Sequence, residues 1–113
     1  DTGYINKKYY EKMSNKSLYI MESNHDVDML MNCSYPYPIK QRILGDKGHL
    51  SNKDCAYYLK KLTGDNTKYI VLAHLSEENN NSSLAFETTK NKIKVDTKVI
   101  VAKQNERTEL IEI

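Results

Sequence analysis

Residues 69–80 read Tyr-Ile-Val-Leu-Ala-His-Leu-Ser-Glu-Glu-Asn-Asn, an apolar run that changes abruptly into polar sequence. The first five residues show no polar alternation, which is typical of a strand buried on both faces. They predict a strand over Tyr69–Ala73 that delivers His74 at its carboxyl end. A second apolar run, Leu18–Met21, predicts another such strand and ends in Glu22-Ser23-Asn24-His25-Asp26. Polar clusters therefore follow two predicted strands.

Helical patterns flank and separate these strands. Apolar side chains recur every four positions over residues 5–14 and predict a short amphipathic helix. Ser51 or Asn52 can cap a longer helix that stops at Gly64. The inward face of this second helix would carry Cys55, Tyr58, Leu59 and Leu62.

The segment between the first strand and the second helix is predicted to be mostly irregular. Asn24 or Asp26 can cap a turn of helix there. The inward residues of this turn would be Val27, Leu30 and Met31. Residues 33–50 contain both prolines and two of the four glycines, which is typical of a long functional loop.

The last part of the chain continues the alternation of helix and strand. A third helix is predicted over Leu84–Ile93, and Val95–Val101 alternates as a half-exposed strand does. Gln104–Arg107 can turn into a last strand, Leu110–Ile113. This order of elements favours an α/β layer arrangement. In such folds ligands bind outside the carboxyl ends of the strands, where the two polar clusters lie.

Composition limits the class of protein. The chain has 113 residues and a net charge of +2, from 17 Lys and Arg against 15 Asp and Glu. One domain at most is expected, and the charge alone gives no case for nucleic acid. No apolar run approaches the roughly 20 residues that span a bilayer, so no membrane partner is expected. Cys33 and Cys55 are too few for a disulfide scaffold and predict free thiols in a reducing cytoplasm.

Three side chains at predicted element ends are candidates for chemistry. His74 follows a strand that would hold its backbone rigidly, as suits a metal ligand, or it is simply a hydrogen-bonded histidine at a strand end. His49 precedes a helix N-terminus, which disfavours a charged imidazole and suits a neutral ligand or an acid/base group. A residue of the capping region is the alternative. Glu22 ends a buried strand, so it is either paired with a cation or metal or solvated at the strand terminus.

Four blocks of the sequence resemble the second half of bacterial metallo-β-lactamase-fold hydrolases of the YycJ/WalJ type. They are Asp1–Gly3, Glu22–Asp26, Lys40–Asn52 and Leu72–Asn80, and the resemblance extends to about Ile93. Ribonuclease Z is similar at a greater distance. The resemblance implies that residues 1–113 form the carboxyl-terminal half of an αββα sandwich, with a mixed sheet flanked by helices. It also implies phosphodiester hydrolysis by a 5′-to-3′ DNA exonuclease of the cytoplasm.

The resemblance further implies roles for individual residues. Asp1 matches the acidic residue that bridges two metal ions, zinc or manganese, and His74 matches the last histidine ligand. Glu22 and His49 resemble an acid/base pair that helps to move a proton to the leaving oxygen. Residues predicted to bind substrate are Asn24, His25, Ser76 and Asn79.

The sequence departs from this family in one large respect. The signature HxHxDH motif is absent from these residues, and the first residue is Asp rather than Met. We therefore expect a piece of a longer enzyme that is inactive alone and lacks part of its metal-ligand set. Its uncovered sheet face would pair with its own amino-terminal half or self-associate. Alternatives are another hydrolase of this fold, acting on RNA, a phosphoester or a thioester, and a non-catalytic interaction domain.

Overall fold

A computed structural model describes residues 5–45, 48–93 and 96–102. Three strands form one sheet in the order β1-β2-β3, namely β1 (Leu18–Glu22), β2 (Tyr69–Ala73) and β3 (Lys98–Val101). A 3-10 turn (Lys7–Tyr9) leads into the first of the helices, which are α1 (Tyr10–Met13), α2 (Val27–Asn32), α3 (Tyr37–Leu44), α4 (Asn52–Leu62) and α5 (Ser82–Lys90). The α/β class is confirmed.

All the described strands run parallel, so the mixed sheet is not seen among these residues. The turn and strand predicted from Gln104 to Ile113 lie outside the described residues, as do Asp1 and Val95. No helix among the described residues is long and apolar enough to cross a bilayer.

One face of the sheet forms the core. Register places Tyr19 beside Ile70 and Ile70 beside Val99, so these three side chains project to the same side. The apolar faces of α4 and α5 cover that side. They contribute Cys55, Leu59, Leu62 and Ala85 to the buried cluster. The inward face predicted for α4 is therefore confirmed.

The opposite face of the sheet is less covered. Ile20 is 69% exposed, although its neighbours Tyr19 and Met21 are buried. The prediction that Leu18–Met21 is covered on both faces is therefore wrong. The reason is that Ile20 projects away from the helices, on a strand that lies at the edge of the sheet formed by the described residues.

Residues 33–50 are not the continuous irregular loop that was predicted. Helix α3 occupies Tyr37–Leu44, with Pro36 as its N-cap and Pro38 in its first turn. Proline is tolerated in a first helical turn because the N–H it lacks would have no intrahelical acceptor there. The prolines therefore start a helix instead of preventing one.

The predicted helices also needed smaller corrections. In α2 the Asp26 side chain accepts a hydrogen bond from Met29 N, which confirms one of the two predicted caps. Leu30 is fully buried, but Met31 is 45% exposed, so its inward assignment is wrong. Adjacent side chains of an α-helix point about 100° apart, so Met31 does not share the inward direction of Leu30. Helix α5 begins at Ser82, because the Asn81 side chain caps it, and ends at Lys90.

Candidate active site

The segment that follows β1 lies between two other parts of the chain. Residues 22–26, from the end of β1 onward, pass between residues 73–79, from the end of β2 onward, and residues 49–52, at the start of α4. Backbone hydrogen bonds of 2.7–3.0 Å hold the segment on both sides: Ser23 N to Ala73 O, Ser76 N to Asn24 O, Asp26 N to Asn79 O, Asn24 N to Leu50 O and Asn52 N to His25 O. The polar clusters predicted at two strand ends are thus adjacent.

Glu22 and His49 form a close pair at this edge of the sheet. Glu22 Oε2 lies 2.8 Å from His49 Nδ1, and Leu50 N donates to Glu22 Oε1 at 2.9 Å. A carboxylate only accepts hydrogen bonds, so His49 carries its proton on Nδ1. His49 Nε2 is then the ring nitrogen that can exchange a proton with another molecule. The side chain of Glu22 is 9% exposed and that of His49 is 37% exposed, so the imidazole is the accessible member.

His74 approaches the same carboxylate oxygen as His49. Its Nδ1 lies 3.5 Å from Glu22 Oε2, and its side chain is 67% exposed. Its backbone has a φ of 57°, in the left-handed region that side-chain-bearing residues seldom adopt. The Asn24 side chain donates to His74 O at 2.8 Å and thereby supports this turn. Strained backbone of this kind is often found at functional sites.

A buried hydrogen-bond network of Asn80, Asn52 and Ser23 connects the segments that form the site. Asn80 Nδ2 donates to Ser23 O, Asn24 O and Asn52 Oδ1 at 2.9–3.1 Å. The Asn52 side chain in turn donates to Asn80 Oδ1, and Ser23 Oγ donates to Asn52 Oδ1. Sequence reasoning missed this network: it offered Asn52 as a helix cap and assigned no buried role to Asn80. The abrupt Asn-rich end of β2 was the available signal.

Two residues predicted to bind substrate are buried. His25 and Asn79 are each 1% exposed, which argues against direct contact with a substrate. Burial lowers the pKa of His25, and the neighbouring His49 lowers it further, against the opposing effect of Glu22 and two aspartates. His25 therefore acts as a neutral structural imidazole, with Nδ1 3.2 Å from Asn24 Oδ1. Asn24 and Ser76, by contrast, are half-buried at the site.

The described residues do not form a complete metal site. No group of three or more His, Cys, Asp or Glu side chains is arranged to hold a metal within residues 5–45, 48–93 and 96–102. His74 offers an accessible imidazole, but a catalytic zinc site uses about three protein ligands. Asp1, the other predicted ligand, lies outside the described residues.

Both cysteines are free, as predicted. Burial raises the pKa of Cys55 to about 12, against hydrogen bonds with Ser23 and Thr89 that act in the opposite direction. Because the reactive form of cysteine is the thiolate, Cys55 is a core residue and not a nucleophile.

The fold and this site define a class of protein. The chain is similar to the metallo-β-lactamase-fold protein YhfI from Bacillus subtilis, with a TM-score of 0.58 over 91% of this chain and 35% of that chain. At 14% identity this similarity shows the fold alone, and the chain has the metallo-β-lactamase fold. No protein-family model matches it.

Sequence similarity to curated proteins identifies a more specific group within this fold. The chain is 45% identical over 93 residues to the exodeoxyribonuclease WalJ of Streptococcus pneumoniae, covering 82% of this chain and 35% of that protein. It is 45% identical over 85 residues to the exodeoxyribonuclease YycJ of Bacillus anthracis, covering 75% of this chain and 32% of that protein. The chain is thus a WalJ/YycJ-type sequence with the metallo-β-lactamase fold, as predicted, and spans about a third of those relatives.

Proposed function

We propose that residues 1–113 are the carboxyl-terminal half of a metallo-β-lactamase-fold domain in a metal-dependent nuclease. The complete protein would hydrolyse phosphodiester bonds of DNA from the 5′ end in the cytoplasm. Relatives named exodeoxyribonucleases support this proposal, as does the chain's coverage of 35% of WalJ. The observation that carries it is the 2.8 Å contact between Glu22 and His49 at the carboxyl edge of a parallel sheet.

His49 is the proposed proton donor to the leaving oxygen. Glu22 holds Nδ1 of the imidazole and stabilises the positive charge of its protonated form, so Nε2 can deliver a proton outward. Leu50 N fixes the second carboxylate oxygen, which restricts rotation of Glu22. The half-buried Asn24 and Ser76 border this position and are the proposed contacts to substrate.

Metal binding is assigned to the complete protein. His74 is the proposed ligand among the described residues, because its imidazole is exposed at the same sheet edge. Asp1 is the second ligand proposed for this chain, and the remaining ligands of two divalent ions, zinc or manganese, would come from the amino-terminal half. Such ions supply activation of a water molecule and charge neutralisation at phosphate.

The exposed side of the sheet is the proposed contact with that amino-terminal half. Ile20, a large apolar side chain, is 69% exposed there, although its register partner Val71 on β2 is only 6% exposed. Apolar surface of this kind usually marks an interface. When the amino-terminal half is missing, a second copy of the chain would cover the same face.

Substitutions in a protein that includes the amino-terminal half test these roles. We expect Glu22→Gln and His49→Gln each to lower kcat on a 5′-phosphorylated oligonucleotide by about 10²–10⁴-fold and to leave metal content unchanged. The double variant would be no slower than the worse single variant, because the two groups act as one unit. His74→Gln would instead lose bound metal, as measured by elemental analysis.

Glu11→Gln, an exposed carboxylate on α1, is the matched control and would retain full activity. Equal loss of metal in the His49 and His74 variants would contradict the division of roles. Full activity of Glu22→Gln would overturn the proposed proton transfer. Two metal ions tightly bound by the 113-residue chain alone would contradict the assignment of ligands to a missing half.

A further inference from the structure

A basic groove runs along the outer surface of α4. It has a volume of about 450 Å³ and is lined by Lys53, Tyr57, Lys60, Lys61 and Lys92. Lys53, Tyr57 and the adjacent pair Lys60 and Lys61 follow one another at intervals of about one helical turn on the same face of α4. Lys92 approaches from the turn that follows α5. No carboxylate of the described residues lines the groove, so four positive charges face one cleft in a chain whose net charge is only +2.

An aromatic surface adjoins this groove. Tyr57 is 51% exposed and also lines a second pocket, of about 390 Å³, together with Tyr10 and Tyr58. The Tyr58 ring contacts each of the other two edge to face, with centroid distances of 5.5 Å to Tyr57 and 6.3 Å to Tyr10. Lys61 Nζ lies 5.6 Å from the centroid of the Tyr57 ring. Exposed aromatic rings beside a row of cations are typical of surfaces that bind unpaired bases and their backbone.

Helix α4 carries most of the groove and also contacts the candidate site at its first residue. That helix begins at Asn52, and the backbone of Asn52 is hydrogen bonded to His25 in the site segment. Lys53 and Lys61 are eight residues apart, which corresponds to about 12 Å along a helix. Successive nucleotides of a stacked strand advance by about 3.4 Å along the strand axis, so a row of this length spans a few phosphates.

We propose that Lys53, Lys60, Lys61 and Lys92 bind phosphates of single-stranded DNA while a base stacks on Tyr57. The groove would hold the strand outside the reacting position and so anchor a substrate that is shortened at one end. This inference rests on the proposed nuclease function for the identity of the strand. The groove itself predicts affinity for a polyanion with exposed bases, whether or not hydrolysis takes place.

Binding without catalysis tests the groove separately from the proposed reaction. The chain is titrated into a fluorescein-labelled oligothymidylate of about 15 nucleotides, in EDTA, and anisotropy is recorded at several salt concentrations. The triple variant Lys53→Gln/Lys60→Gln/Lys61→Gln is compared with Lys12→Gln/Lys16→Gln/Lys68→Gln. Both remove three exposed positive charges, so the net charge changes equally. Circular dichroism confirms that the variants are folded.

We expect the groove variant to bind at least about tenfold more weakly at low salt, and the slope of log K against log salt to fall by about 2. The control variant would stay within about threefold of the unmodified chain. Tyr57→Ala would lose about tenfold in affinity and Tyr57→Phe would retain it, because stacking needs only the ring. A duplex of equal length would bind more weakly than the single strand.

Several results would overturn the proposal. Equal weakening in both triple variants would indicate general charge attraction with no defined groove. No binding by the unmodified chain, or equal binding of duplex and single strand, would also refute it. None of these results bears on the Glu22 and His49 variants, which report hydrolysis. The two experiments can therefore fail independently. Hydrolysis without binding in the groove would refute only the groove, and binding without hydrolysis would refute only the proposed reaction.

Discussion

Asn80 joins the three segments that make the candidate site, and replacing it by alanine is the most direct test of the buried network. Its side chain is 5% exposed and bonds to the carbonyls of Ser23 and Asn24 and to the amide of Asn52. Asn80→Ala would leave the Asn52 amide, itself 2% exposed, without its partner. It would also leave the carbonyls without this donor.

The loss in the free energy of unfolding can be calculated approximately from these contacts. Leaving one buried polar group unsatisfied costs about 1–3 kcal/mol, and two groups, the Asn52 amide and the Ser23 carbonyl, lose their Asn80 partner in buried surroundings. We expect Asn80→Ala to lower the free energy of unfolding by about 3 kcal/mol, a large part of the roughly 5–15 kcal/mol of an ordinary domain. Urea titration followed by circular dichroism measures this change.

Asn91→Ala, at an exposed position just after α5, is the matched control and should change stability by less than about 0.5 kcal/mol. A loss below about 1 kcal/mol for Asn80→Ala would show that water or rearrangement satisfies the network, which would refute the reasoning.

Three further predictions follow from burial. Because burial lowers the pKa of His25 below its usual 6.5, the unfolded chain takes up a proton near pH 6.5 and the folded chain only at lower pH. Stability should therefore fall as pH falls below about 6.5, and His25→Gln should flatten urea midpoints measured between pH 7.5 and 5.5; an unchanged slope would contradict this. Iodoacetamide should modify the half-buried Cys33 in the folded chain and Cys55 only in urea, as read by mass spectrometry; rapid labelling of both would show that the core opens. Ile20→Lys should reduce self-association in sedimentation experiments, whereas Ile39→Lys, on the 40% exposed Ile39 of α3, should not; equal effects would exclude the sheet face as the contact.

Local patterns predicted the central strand and the longest helix well. The Tyr69–Ala73 run is buried by neighbours on both edges, and Ser51 caps α4 because its side chain accepts from Asp54 N. The pairing of Glu22 with His49 was suggested by resemblance and by position at an element end. Geometry brings the two side chains together across 27 positions of sequence.

Other features depend on tertiary contacts that no local pattern reveals. Ile20 looked buried because its neighbours are apolar, but burial of an edge strand depends on what covers its second face. The prolines of residues 33–50 predicted an irregular loop. Because Pro36 is the N-cap of α3 and Pro38 lies in its first turn, both are compatible with a helix that begins there. Asn52 and Asn80 are 28 positions apart, so spacing could not predict their reciprocal bonds.

Asn24 is hydrogen bonded to the backbone at or next to both accessible imidazoles. Asn24 holds the carbonyl of His74 through its side chain and the carbonyl of Leu50, next to His49, through its backbone N–H. A ligand that draws the His74 ring outward would pull on Asn24 and hence on the segment that carries His49. A ligand bound to His74 would then change the orientation of the His49 ring, and Asn24 would transmit this change.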